Sequence, residues 1–120
     1  MKREATSDTP LVDFDAQTGC LLIKGRSLPE DAWSFYKPII EWASTLALNS
    51  SNCLTIEFFL EYFNSSSGRY LLELLSTLEK KKKEHVKVVW VCEPDDDLMQ
   101  EKGEEFESLL ELPFEFRTAS

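Results

Sequence analysis

The stretch that decides the fold is residues 54–78, which read LTIEFFLEYFNSSSGRYLLELLSTL. Its first half alternates apolar with mostly polar side chains, a period of two that predicts a β-strand buried on one face. Its second half spaces leucines three and four residues apart, which predicts a helix from about Ser67 to Glu84. Those leucines are Leu71, Leu74, Leu75 and Leu78. A strand is therefore expected to run almost directly into a helix.

The junction between these two elements carries Ser65, Ser66 and Ser67. We expect the strand to stop at Asn64 and the helix to begin near Ser67, where the first backbone N–H groups lack intrahelical partners. Such a helix start favours added negative charge. Serine is also a preferred N-cap residue, so a purely structural capping role is the alternative interpretation. We take this junction as the candidate functional site.

Length and composition fit a single domain. The chain has 120 residues, of which 42% are hydrophobic, enough for a core that needs no disulfide or structural metal. Residues 1–9 are polar, which predicts a flexible N-terminal tail before a domain over residues 10–118. An odd number of cysteines without a close Cys-x-x-Cys pair indicates reduced thiols in a cytoplasmic protein. They are Cys20, Cys53 and Cys92.

The charge of the chain argues against some classes of partner. The formal net charge is −9, whereas nucleic-acid binding needs basic side chains that neutralise phosphates. No apolar run approaches the roughly 18 residues that indicate a membrane helix. The basic cluster Lys80 to Lys83 lies at the end of the predicted second helix, where cations complement the helix dipole. We therefore expect neither a nucleic-acid nor a membrane partner.

The other predicted elements follow from the same two periodicities and from turn residues. They are a hairpin over 12–15 and 20–24, a helix from a Ser27–Glu30 capping box to about Leu48, a polar loop at 49–52, a strand at 86–92, a short helix within 98–110 and a strand at 114–117. Each strand-helix-strand step predicts a right-handed crossover between parallel strands. The fold class is thus α/β, with a mixed sheet of about five strands, an N-terminal hairpin and helices mainly on one face.

The predicted first helix has an unusually wide apolar arc made of two adjacent stripes. One stripe is Trp33, Tyr36, Ile40, Ala43 and Ala47, and the other is Phe35, Ile39, Trp42 and Leu46. Pro38 lies in the middle and predicts a kink or a restart. Either the whole arc packs into the core, or part of it, including Phe35 and Trp42, faces a partner.

Residues suited to catalysis are few. His85 is the only histidine and follows the basic cluster at a helix end, a position typical of a surface or capping role. Asp95, Asp96 and Asp97 offer carboxylates to a hard cation, but adjacent carboxylates point in diverging directions. The chain lacks the spacing of a calcium loop and of a nucleotide-binding loop. We expect a non-enzymatic protein without a cofactor, and keep a small metal-dependent enzyme built on Asp95, Asp96 and Asp97 as a distant alternative.

Segments along nearly the whole domain resemble the SiaC family of bacterial regulatory phosphoproteins. They are Thr9-Pro10, residues 12–15, residues 23–27, Pro29-Glu30, Phe35-Tyr36, Pro38, Glu41-Trp42, residues 58–67, residues 103–106 and residues 112–114. The most specific is Tyr62 to Ser67, which is similar to the family's Tyr-x-Asn-Thr-Ser-Ser segment, whose threonine accepts phosphate. Carried over by position, the acceptor is Ser65, a serine in place of threonine, with Ser66 and Ser67 as alternatives.

The resemblance implies a STAS-like fold, related to the anti-sigma-factor antagonists. It also implies three partners: a cognate protein kinase, a PP2C-type phosphatase and a diguanylate cyclase that the unphosphorylated protein activates, in cyclic di-GMP signalling and biofilm regulation. Partner contacts are then expected at Tyr62, Asn64, Ser66, Phe35 and Trp42. The rival interpretation is an anti-sigma-factor-antagonist-like module that binds a sigma-regulatory kinase through the same serines.

Overall fold

A computed structural model describes residues 1–48 and 52–120. Its elements in chain order are β1 (Lys2–Arg3), β2 (Leu11–Asp15), β3 (Cys20–Ser27), α1 (Ala32–Ser44), β4 (Leu54–Phe63), α2 (Ser65–Lys82), a 3-10 turn (Lys83–His85), β5 (Val86–Cys92), α3 (Asp97–Leu109) and β6 (Phe114–Thr118). The order of helices and strands confirms the α/β class. The polar loop predicted at 49–52 lies, except for Asn52, outside the described residues.

The six strands form one mixed sheet in the order β1-β2-β3-β4-β5-β6. The first three strands are antiparallel, and β3 to β6 are parallel. The N-terminal hairpin and the parallel crossovers are as predicted. The sequence predicted about five strands, and the sixth is β1, where Lys2 and Arg3 pair with Asp13 and Val12. This pairing places an edge strand where polar composition predicted a flexible tail.

One face of the sheet carries the core. Leu54, Ile56, Phe58 and Leu60 of β4 are buried, while the residues between them are partly exposed. Side chains of the same face line up across the strands, as in Leu21–Ile56 and Phe58–Trp90. The leucine stripe predicted for α2 is fully buried against this face, and α1 contributes Tyr36 and Ile39. One buried face is what the alternation of β4 predicted.

The first helix begins and ends differently from its prediction. Asp31 is the N-cap, and its carboxylate accepts the Ser34 N–H at 3.2 Å and the Ser34 hydroxyl at 2.7 Å. These hydrogen bonds hold the pKa of Asp31 below its usual value. The predicted cap, Ser27, is instead the last residue of β3, because its backbone continues the pairing with β4. The helix runs through Pro38 and ends at Ser44, four residues before the predicted end.

Candidate functional site

The site is built where β4 ends and α2 begins. A register shift between Gly25 and Arg26 of β3 leaves Glu61 of β4 without a partner, so β4 carries a bulge at Glu61. Gly25 has φ 123°, a backbone conformation that side chains with a Cβ rarely adopt. Because of the bulge, Phe63 rather than Tyr62 continues the buried row, and Tyr62 is 44% exposed. The alternation read from the sequence stops at Leu60 for this reason.

Asn64 caps α2. Its side-chain Oδ1 accepts the Ser67 N–H at 2.9 Å, and its carbonyl accepts the Gly68 N–H at 2.9 Å. The helix begins at Ser65, two residues before the predicted start near Ser67, and Asn64 rather than a serine caps it. Asparagine and serine cap equally well. Asn64 takes the cap position because its own N–H still donates to the Ser27 carbonyl of β3, at 3.1 Å, and the helix begins at the next residue.

The three serines occupy different environments. Ser65 and Ser66 are exposed in the first turn, where backbone N–H groups point towards solvent. Ser67 is fully buried, and its Oγ accepts a hydrogen bond of 2.8 Å from the Ser27 hydroxyl. Because Ser27 has one hydroxyl proton and donates it to Ser67, the Tyr36 hydroxyl is the donor in its hydrogen bond with Ser27 Oγ. Of the three junction serines, Ser65 and Ser66 are therefore accessible to a modifying enzyme in the folded protein, and Ser67 is not.

The buried hydroxyl chain of Tyr36, Ser27 and Ser67 links α1, β3 and α2 beneath the exposed serines. Burial raises the pKa of Tyr36 to about 12, although hydrogen bonding with the Ser27 and Ser67 hydroxyls acts in the opposite direction. The phenol is therefore neutral under ordinary conditions. Sequence reasoning missed this chain, because its members are separated by up to forty residues.

A cleft of about 310 Å³ lies between α2 and α3 and is called here the α2–α3 cleft. Ser65 lies at its wall, together with Arg69 of α2 and Lys102 of α3. The Lys102 ammonium lies 5.0 Å from the centre of the Phe63 ring, a cation–π contact. Ser66 does not line this cleft. The two exposed serines thus differ in the charges around them, a difference that sequence alone did not reveal.

The predicted partner residues on α1 lie at the edge of the core. Phe35 and Trp42 are both half-buried. Arg3 donates to the Phe35 carbonyl and places its guanidinium 5.1 Å from that ring, while Trp42 contacts Phe14 edge-on at 4.9 Å. The exposed aromatic residue of this helix is Trp33, which is 42% exposed. A single stripe on a helical wheel did not distinguish it from its buried neighbours.

The acidic run before α3 has a structural role. Asp96 is the N-cap of α3 and accepts the Met99 N–H at 3.0 Å, and Asp97 lies in the first turn. Over residues 1–48 and 52–120, no group of three or more His, Cys, Asp or Glu side chains is placed to hold a metal ion. Asp96 and Asp97 thus form the start of α3.

None of the helices in the described ranges is both long and apolar enough to cross a bilayer.

A family model described as the SiaC family regulatory phosphoprotein matches residues 3–119, which is nearly the whole chain. The chain belongs to the SiaC family. An uncharacterized protein of Pseudomonas aeruginosa strain UCBPP-PA14 is 27% identical over 111 residues, covering 91% of this chain and 88% of that protein. The family resemblance drawn from the sequence is therefore confirmed.

Two solved structures of SiaC from Pseudomonas aeruginosa have the same fold. One contains SiaC as the activator in complex with the diguanylate cyclase SiaD, and matches with a TM-score of 0.90 and 25% identity over 99% of both chains. The other is apo-SiaC, with a TM-score of 0.83 and 25% identity over 98% of both chains. The mixed sheet with helices α1, α2 and α3 is thus the SiaC fold.

Proposed function

We propose that this SiaC family chain is a non-enzymatic switch whose unphosphorylated form binds and activates a diguanylate cyclase. The family assignment supports a regulatory role, and SiaC of Pseudomonas aeruginosa is the activator of such a cyclase in its complex. The switch is phosphorylation of Ser65. The observation that carries this choice is that Ser65 is exposed at the first position of α2, directly after the Asn64 cap.

The chemistry of the switch belongs to partner enzymes. A cognate kinase makes a bond from Ser65 Oγ to the terminal phosphorus of a nucleoside triphosphate. The bond to the nucleoside diphosphate breaks, and a base of the kinase takes the hydroxyl proton. A PP2C-type phosphatase returns the serine by hydrolysis. We also infer a cytoplasmic location, because the three cysteines are odd in number and include no close Cys-x-x-Cys pair.

Phosphorylation is compatible with this fold. The phosphate adds about −1.5 to −2 charges and three acceptor oxygens at a helix start, where negative charge is stabilising. Ser65 is exposed at the first position of α2. The modification therefore changes a partner surface rather than the fold. We propose that the cyclase contacts Tyr62, Asn64 and Ser66 at the junction. We propose further contacts at the exposed edges of Phe35 and Trp42 on α1.

Intact-mass analysis tests the phosphorylation directly. The protein is co-expressed with the genes that neighbour its own, and any phosphate is mapped by peptide sequencing. We expect one phosphate on Ser65, abolished by Ser65→Ala and retained in Ser66→Ala, the matched neighbour. Phosphate that persists in Ser65→Ala would contradict the assignment. Recovery of a sigma-regulatory kinase, and no cyclase, in a pull-down would favour the anti-sigma-factor-antagonist type instead.

A further inference from the structure

We propose that Arg69 and Lys102 bind the phosphate once Ser65 carries it, so that the phosphate bridges α2 and α3 across the α2–α3 cleft through charge-assisted contacts. This inference rests on the proposed function at Ser65 and adds the groups of this chain that receive the phosphate. It is carried by the position of two cations and one modifiable hydroxyl on the walls of one cleft.

Arg69 is placed by the helix itself. Ser65 and Arg69 are four residues apart in α2, so their Cβ atoms lie about 5 to 6 Å apart on the same side of the helix. A phosphate attached to Ser65 Oγ then lies within reach of the guanidinium, whose planar donors suit phosphate oxygens. Arg69 is exposed and lies with its guanidinium 5.7 Å from the Tyr70 ring centre. It has no carboxylate within salt-bridge distance among the described residues.

Lys102 approaches from the opposite wall. Its ammonium lies over the Phe63 ring, and Phe63 immediately precedes Asn64 at the helix start. The ring therefore holds the cation beside the first turn of α2, partly shielded from water. Phe63 in turn contacts Phe106 of α3, with ring centres 5.9 Å apart, so α3 is fixed relative to the junction. A cation held in place loses less side-chain entropy when a phosphate arrives.

One carboxylate, that of Glu105, also lies at the cleft. Glu105 is exposed and forms no ion pair with Arg69 or Lys102 within the described ranges. The two cations Arg69 and Lys102 outnumber this one carboxylate, so the cleft is net positive although the chain has a net charge of −9. A second cavity is lined by Trp33, Arg69, Tyr70 and Glu73, so it shares Arg69 and offers no other cation. The α2–α3 cleft is thus the better phosphate receptor.

The test measures the second pKa of an installed phosphoserine by phosphorus NMR. Phosphoserine is inserted at position 65 during translation, in the full chain and in Lys102→Gln, Arg69→Gln and the double variant. Phosphoserine normally has this pKa near 6, and nearby cations lower it. The helix N-terminus lowers it equally in every variant, so differences among them isolate the two side chains. Lys80→Gln is the matched control, because it removes the same charge about 22 Å along α2, beyond the screening length.

We expect each single variant to raise the phosphate pKa by about 0.3 pH unit or more, the double variant to raise it further, and Lys80→Gln to leave it unchanged. Phosphorylation should also raise the melting temperature of the parent more than that of the double variant. Identical titrations in the parent and the double variant would overturn the proposal. Because the phosphate is installed during translation, this result is independent of whether a cellular kinase uses Ser65, and the two proposals fail separately.

Discussion

Asn64 and Ser65 are adjacent residues: Asn64 caps α2, and Ser65 is the proposed site of phosphorylation. Asn64→Ala removes the acceptor of the Ser67 N–H, and should lower the free energy of unfolding by about 1 kcal/mol. Ser65→Ala should change it by less than about 0.5 kcal/mol, because the side chain is exposed. Urea denaturation compares the two. Equal losses would mean that the Ser65 hydroxyl is itself part of the cap.

Tyr36 gives the fold a dependence on alkaline pH. Its folded pKa of about 12 is above its ordinary value of 10.0, so the unfolded chain releases this proton first. The associated stability is complete below pH about 10 and is lost as pH rises towards about 12, by on the order of 2 kcal/mol. Urea denaturation from about pH 9 to about pH 12 should show a steeper loss for the parent than for Tyr36→Phe. Parallel curves would show that the phenol ionises normally in the folded state.

At the scale of single residues, the sequence identified the residue types at the junction but not the surroundings of each side chain. A hydroxyl cluster at a strand-to-helix junction was visible, and Ser65 is exposed as the candidate acceptor must be. The capping residue was not predictable, because it depends on where the pairing of β4 with another strand, β3, ends. Ser67 was indistinguishable from its neighbours until its partner Ser27, distant in sequence, was brought beside it.

The close approach of α3 to β5 depends on Gly103. A Cβ at this position would lie 2.6 Å from Trp90 ring atoms and 2.8 Å from Phe116, closer than side chains tolerate. Gly103→Ala should therefore lower the free energy of unfolding by about 1 to 3 kcal/mol, despite the higher helix propensity of alanine. Glu101→Ala, an exposed position on the same helix, is the control for thermal melting. A Gly103→Ala protein that melts at or above the parent would contradict this packing.

We expect truncation of an exposed aromatic residue to weaken partner binding, and truncation of a half-buried one to lower stability. Tyr62→Ala should leave the free energy of unfolding within about 0.5 kcal/mol and weaken cyclase binding by more than about 1 kcal/mol. Trp42→Ala removes the contact with Phe14 and should cost about 1 to 3 kcal/mol of stability. Calorimetry and urea denaturation measure the two effects. Unchanged cyclase affinity in Tyr62→Ala would remove it from the binding surface.

At the scale of elements, strong local periodicity predicted the strands and helices that carry the core. The leucines of α2 and the alternation of β4 are buried as expected. The strand β1 was not predictable, since two charged residues carry no periodicity and pair only because the edge of β2 is open beside them. The wide arc of α1 is divided by tertiary packing, which buries Tyr36 and Ile39 and leaves Trp33 exposed.

At the scale of the whole molecule, one face of the sheet packs into the core, and the β4–α2 junction is exposed at the end of β4. The fold is shared with SiaC at 25% identity and a TM-score of 0.90, so this arrangement persists although most side chains differ. Family and fold class were predictable because the motif and periodicities are local. The α2–α3 cleft was not, because it unites residues from two helices about forty positions apart in the chain.

The most direct test of the switch is cyclic di-GMP synthesis by the cognate diguanylate cyclase, titrated with this protein in two forms. One form is unphosphorylated, and the other carries phosphoserine at position 65. We predict that the unphosphorylated protein activates the cyclase saturably, and that phosphoserine at position 65 raises the concentration needed at least about tenfold, a loss of about 1.4 kcal/mol in binding. Equal activation by both forms, or none by either, would contradict a switch at Ser65.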